Sequence, residues 1–192
     1  MAKSNAHKFG QIIGDLLELA LLPSLEKFAK KHRLYLDKQG VRKARKGKKV
    51  SWKDISGNSH DLDFVLERHG SEEKIGTPVA FIETAWRRYT KHSRNKAQEI
   101  QSAILPLIKT HEGASPFAGV VLAGEFTAGA LNQLRSLGFT VLFFPYSTII
   151  RAFQEFGIDA KYDESTEEAD FAEKIKSVEH LTDKPHYWTF WE

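Results

Sequence analysis

Val79-Ala80-Phe81-Ile82-Glu83-Thr84-Ala85-Trp86 is an apolar, strand-like run with a carboxylate near its centre. His60-Asp61-Leu62-Asp63-Phe64-Val65-Leu66, upstream of it, shows the same oddity. An ionised carboxylate at a half-buried strand position is costly unless a cation or a hydrogen-bond network compensates it. Turn-rich Arg68-His69-Gly70-Ser71 and Ile75-Gly76-Thr77-Pro78 separate the two runs, so a hairpin is expected that brings Asp63 beside Glu83. Two carboxylates on one rim suit a Mg²⁺ ion, because hard cations take oxygen ligands. Residues two apart on a strand share a face, which groups Asp61 with Asp63 and groups Glu83 with Ala85 and Arg87.

Working outward, Val50–Ile55 reads as a strand, and the turn Ser56-Gly57-Asn58-Ser59 leads into a strand over Asp61–Glu67. With Pro78–Trp86 these make a three-stranded antiparallel meander. Upstream lies a helix from Ser4 to about Arg33, with Ile12, Ile13, Leu16, Leu17, Ala20 and Leu21 at helical spacing and Ser4 or Asn5 as its cap. Pro23 should kink or split it, after which Leu25 and Phe28 point inward. Lys38–Lys49 is strongly basic and too poor in apolar residues to pack, so it reads as a mobile loop. Downstream, a helix spans about Ser93–Ile108, and Phe117–Ala123 is a continuous apolar run typical of a buried parallel strand. A helix over Thr127–Leu137, closed by Gly138, and a strand over Phe139–Phe144 complete a βαβ unit.

The expected fold class is therefore α/β, a mixed central sheet (antiparallel meander plus βαβ) flanked by helices, over residues 1–150. Residues 151–192 form an acidic extension packed on that core. It holds a helix running to about Phe156, an acidic loop over Asp159–Asp170 and a helix over Glu167–Val178. It ends in the aromatic cluster Tyr187-Trp188-Thr189-Phe190-Trp191.

The chain has 192 residues and no cysteine, which excludes disulfides, thiolate metal sites and cysteine nucleophiles. Its hydrophobic fraction of 41% is ordinary, and no apolar run approaches a membrane span, so no membrane partner is expected. A cytoplasmic protein is the simplest expectation. The net charge of +3 hides an asymmetry: residues 1–154 carry 24 Lys and Arg against 14 Asp and Glu, and residues 155–192 carry 4 against 11. A cationic body with an acidic tail suggests a polyanion partner.

Trp86-Arg87-Arg88-Tyr89-Thr90-Lys91-His92-Ser93-Arg94-Asn95-Lys96-Ala97-Gln98 points the same way. Cations interleaved with hydroxyls and aromatics offer phosphate neutralisation, hydrogen bonds and stacking together. The run also enters a helix N-terminus, where free amides favour phosphate. Arg87, Arg88, Lys91 and Arg94 are the candidate DNA contacts, and the Lys38–Lys49 loop is a candidate duplex clamp. Other motifs are absent or incomplete: Gly124-Glu125-Phe126-Thr127-Ala128-Gly129 has no phosphate-loop lysine, and the histidines form no convincing zinc set.

The order helix, acidic meander, helix, strand, helix, strand resembles the PD-(D/E)XK nuclease superfamily, which includes many restriction endonucleases. The resemblance covers about residues 7–150 and rests on Asp63, Glu83 and the βαβ unit. It implies that Asp63 and Glu83 bind Mg²⁺, with Mn²⁺ as a substitute, for phosphodiester hydrolysis in DNA. Glu18 resembles the acidic residue such nucleases often carry on the first helix, while Asp61 and Gln98 are possible assisting groups. The family lysine two residues after the glutamate is missing, because Ala85 stands there. Lys96 is the best-placed replacement, followed by Lys91 and Arg87, since lysine loses a proton more readily than arginine. Cutting both strands of a duplex needs two sites, which a homodimer would supply. The alternative is a non-catalytic DNA-binding or assembly module on the same fold, in which Ala85 records lost chemistry.

Overall fold

A computed structural model describes residues 4–182. Helix α1 (Asn5–His32) starts where the Ser4 hydroxyl accepts the His7 amide, and it ends at Arg33 in the left-handed region. It runs through Pro23 as one helix. Pro23 is exposed there, so solvent can take the carbonyl its missing N–H releases. Phe28, expected inside, is 47% exposed and packs against His32, whereas Phe9, Ile13 and Leu17 are buried.

The central sheet has five strands in the order β1 (Leu34–Lys38), β4 (Phe64–Arg68), β5 (Thr77–Arg87), β6 (Phe117–Gly124) and β7 (Thr140–Pro145). The pairs β1–β4 and β4–β5 are antiparallel, while β5–β6 and β6–β7 are parallel. It is a mixed sheet flanked by helices, as the sequence leads one to expect. Two crossovers carry the parallel half: α2 (Ser93–Thr110) joins β5 to β6, and α3 (Ala128–Ser136), capped by Thr127, joins β6 to β7.

The meander differs from expectation in its strands. β2 (Val50–Lys53) and β3 (Ser59–Leu62) form a separate two-stranded sheet, and the unanticipated β1 takes the outer place beside β4. The strand expected over Asp61–Glu67 is broken by a bend at Asp63. In a regular strand Leu62 and Phe64 would share a face. Here Leu62 joins the core under α2 and α3, whereas Phe64 joins the core under α1. Burying both large side chains in different cores requires the chain to reverse its facing at Asp63.

One face of the sheet packs against α2, α3 and the β2–β3 hairpin, with Phe81, Ala85 and Leu122 meeting Ile100, Ile104 and Leu134. The other face packs against α1, α4 (Tyr146–Gln154) and α5 (Glu168–Thr182). Position 150 falls inside α4, and Ile158, Tyr162, Phe171 and Ile175 share a core with Phe9 and Ile13. The described part of the C-terminal region is thus integral to the main core. The aromatic cluster at 187–191 lies outside the described residues. Gly124 ends β6 at φ +101°, and a Cβ there would lie 2.0 Å from the Arg87 carbonyl oxygen. The adjoining ends of β5 and β6 therefore depend on glycine. Among the described residues no helix is long and apolar enough to cross a membrane.

The basic segment between β1 and β2 is pinned rather than mobile. Arg42 is 2% exposed and bonds Glu67 through both terminal nitrogens, at the same time meeting Asp37 at 2.9 Å and the carbonyls of Ser71 and Lys74. Arg45 donates to Asp37, to the Gly47 carbonyl and to the Lys38 carbonyl. Glu67 and Asp37 are almost wholly buried, so these arginines supply the compensation that buried carboxylates require. Gly70 is forced by the same network, since a Cβ there would come 2.4 Å from Glu67 Oε2.

Candidate functional site

Strand β4 pairs with β5 only as far as Phe64 opposite Ile82, while β5 continues to Arg87 with β6 on its other side. The mismatch leaves a notch in the strand pairing along residues 83–87, although residues 83–86 are themselves buried, and Asp63 sits at its corner. Asp63 Oδ2 accepts the Thr84 amide at 2.7 Å and the Thr84 hydroxyl at 2.8 Å. The carboxylate thereby satisfies a backbone donor that β4 no longer reaches.

Glu83 is 7% exposed and lies on the same side of β5 as Phe81 and Ala85, the side that α2 covers. Its pKa is pushed up to about 8, first by burial and then by the neighbouring Asp63 carboxylate. Lys96 and a hydrogen bond from the Asp63 backbone pull it down, and Glu18 adds a smaller upward push. Glu83 Oε1 is buried with no hydrogen-bond partner. Glu18, half-buried on α1, rises to about 7 through burial first, then Asp63, then Asp15. Asp63, Glu83 and Glu18 are therefore electrostatic neighbours, drawn from the bend, β5 and α1. Asp15 completes the group; its three-residue spacing from Glu18 on α1, which sets both on one helix face, was the available sequence signal.

Lys96 enters from α2 with a side chain 19% exposed, 3.4 Å from Glu99. It is the cation whose field reaches Glu83. Ala85 is 6% exposed within the packed layer under α2, so the position two after the glutamate is filled by the core.

Other candidates lie elsewhere. Asp61 is exposed on β3 and bonds Lys49 at 2.6 Å, with its pKa lowered by Lys49 and Ser51. The bend two residues on removes it from the face expected to be shared with Asp63. Gln98 is exposed, whereas Gln101, one turn on, accepts from Gln133 at 3.2 Å and keeps a buried Nε2 without a partner. Arg88 is not a free cation: its Nε donates to the Tyr162 carbonyl at 2.8 Å, and its guanidinium lies 4.0 Å from the Tyr146 ring centre. Arg87 donates to the Trp86 carbonyl and lies 3.9 Å from Glu99. Lys91 is exposed and 3.6 Å from Glu164, and Arg94 is exposed at the start of α2.

Among the described residues, no three His, Asp or Glu side chains converge as a ready-made ligand shell. The Asp63–Glu83 pair nevertheless fits a divalent cation. A buried carboxyl with an unpartnered oxygen, set beside a second carboxylate, is a donor pair in which an oxygen-seeking ion can take the place of the proton that Glu83 retains.

No protein-family model matches the chain, and no curated protein matches it. A crystal structure described as a protein of unknown function, AF1548, superposes with a TM-score of 0.42 at 9% sequence identity, over 87% of this chain and 100% of that one. A likeness of that degree says nothing about activity.

Proposed function

We propose that the protein is a cytoplasmic, Mg²⁺-dependent DNA endonuclease that hydrolyses phosphodiester bonds in the manner of restriction endonuclease-like enzymes. The observation that carries this reading is the unpartnered, buried Glu83 oxygen beside Asp63 in the notch of β5, with Lys96 facing it from α2. A bound Mg²⁺, or Mn²⁺ in its place, would polarise the scissile phosphate and lower the pKa of an attacking water. Glu83, once deprotonated, and Asp63, oriented by Thr84, would hold that ion. Lys96 supplies positive charge on the side of β5 where negative charge would build up on the phosphate, the role left open by Ala85. Glu18 borders the same group from α1.

Supercoiled plasmid incubated with the protein and Mg²⁺ or Mn²⁺ is expected to be nicked, and EDTA is expected to suppress nicking. Asp63→Asn and Glu83→Gln should each lower the rate at least ~100-fold while circular dichroism stays unchanged. Cutting that survives in both variants would sink the reading. A gel shift without any cutting would favour a binding module instead.

A further inference from the structure

Residues 38–49 divide their cations by type. The two arginines turn inward and are bound, while Lys43, Lys46, Lys48 and Lys49 remain exposed. The backbone is closed on itself and on the neighbouring turn: the Gly40 amide donates to the Lys48 carbonyl at 2.8 Å, and the Ala44 amide to the Glu72 carbonyl at 2.9 Å. A connection between β1 and β2 needs none of this. Lys43 meets Glu73 at 3.4 Å and Lys49 meets Asp61 at 2.6 Å, but both pairs are exposed and weakly held, so four lysines in one solvent-facing strap still concentrate like charge at a cost in self-repulsion. An extended polyanion lying across the strap would offset that cost, and a strap already ordered gives up less entropy on binding.

Position adds the second support. Lys38 pairs with Phe64, the residue next to Asp63, and Lys49 bridges to Asp61, two residues before it. The strap therefore ends beside the notch. From the notch, Lys96, Arg94 and the start of α2 continue the cationic surface.

We propose that the 38–49 strap is a preorganised arm that contacts the phosphate backbone of duplex DNA flanking the notch, with Lys43, Lys46 and Lys48 as its phosphate contacts and Arg45 as the lock that fixes it. The proposal rests on the reading of the protein as a DNA-acting enzyme, yet it is tested without cleavage. Binding of a short duplex to the full chain is measured in EDTA at several salt concentrations.

The triple variant Lys43→Ala/Lys46→Ala/Lys48→Ala is expected to reduce the slope of log affinity against log salt by about 2–3, because each lost phosphate contact removes about 0.9. Arg45 is almost buried, so Arg45→Ala is expected to weaken binding several-fold with the slope unchanged. An unchanged slope in the triple variant overturns the arm, and unchanged affinity in Arg45→Ala overturns its locking. Glu83→Gln, assayed beside them, separates the two ideas. If it cuts like the parent while the triple variant loses slope, the catalytic assignment fails and the arm stands. If nicking depends on Glu83 but the triple variant keeps its slope, the reverse holds.

Discussion

Glu83 carries a stability signature that is readable without any substrate. Its folded pKa of about 8 stands above the ordinary value of 4.5, chiefly because burial penalises the charged form. Between those two pH values the folded protein holds a proton that the unfolded chain has released, so its contribution to stability falls as pH rises from about 4.5 to about 8. Glu18 acts in the same sense up to about 7. Glu83→Gln cannot ionise, so in metal-free buffer at pH 8 it should melt more than ~2 °C above the parent, with the gap closing near pH 5. Equal melting points at pH 8 would show that Glu83 is not held in a proton-retaining environment. Residue-level reading of the sequence singled out Asp63 and Glu83, because a carboxylate inside an apolar strand is conspicuous on its own, whereas Glu18 and Lys96 on helices were reached only through the family resemblance. It misplaced Arg88, whose partners Tyr146 and Tyr162 are dozens of positions away and leave no local trace.

At the level of elements, the parallel half was legible because each piece is long and unambiguous: α2 by its apolar spacing, β6 and β7 by continuous apolar runs bounded by Gly124 and Gly138. The antiparallel half was harder. β1 offers only Leu34, Tyr35 and Leu36 before the charged Asp37, and that charge is buried only because Arg42 and Arg45 cover it. The bend at Asp63 interrupts a run whose apolar residues look regular, and only the division of Leu62 and Phe64 between two cores exposes it. Truncating Arg42 tests the strap as an element. Arg42→Met strands Glu67 and Asp37 in the interior and should cost about 3–5 kcal/mol by urea denaturation. Lys43→Met, a few ångströms of chain away but solvent-facing, should stay within ~0.5 kcal/mol. Similar losses for both would mean that the strap has no buried anchor.

For the molecule as a whole, the main question is whether the C-terminal region is an appendage or a wall. Tyr162 and Phe171 pack ring to ring at 5.1 Å, and both meet Phe9 of the first helix. The chain is thus closed by its last described helix lying on its first. Phe171→Ala should cost about 3–5 kcal/mol and keep a single cooperative transition, because the cavity opens in the shared core. Two separated transitions would instead mark residues beyond 154 as a unit that unfolds alone. The acidic balance of the C-terminal residues belongs to this scale too, since it offsets the cationic body in net charge.

Gly124 has a historical consequence. Because a methyl group there would strike the Arg87 carbonyl, β5 and β6 could not keep their spacing at the end of the sheet that holds the notch. A lineage in which the proposed hydrolysis had no role could let Glu83 drift to an apolar residue and remain folded. Position 124 has no such freedom, so ancestry in this lineage should be written more durably in a backbone constraint than in its reactive groups.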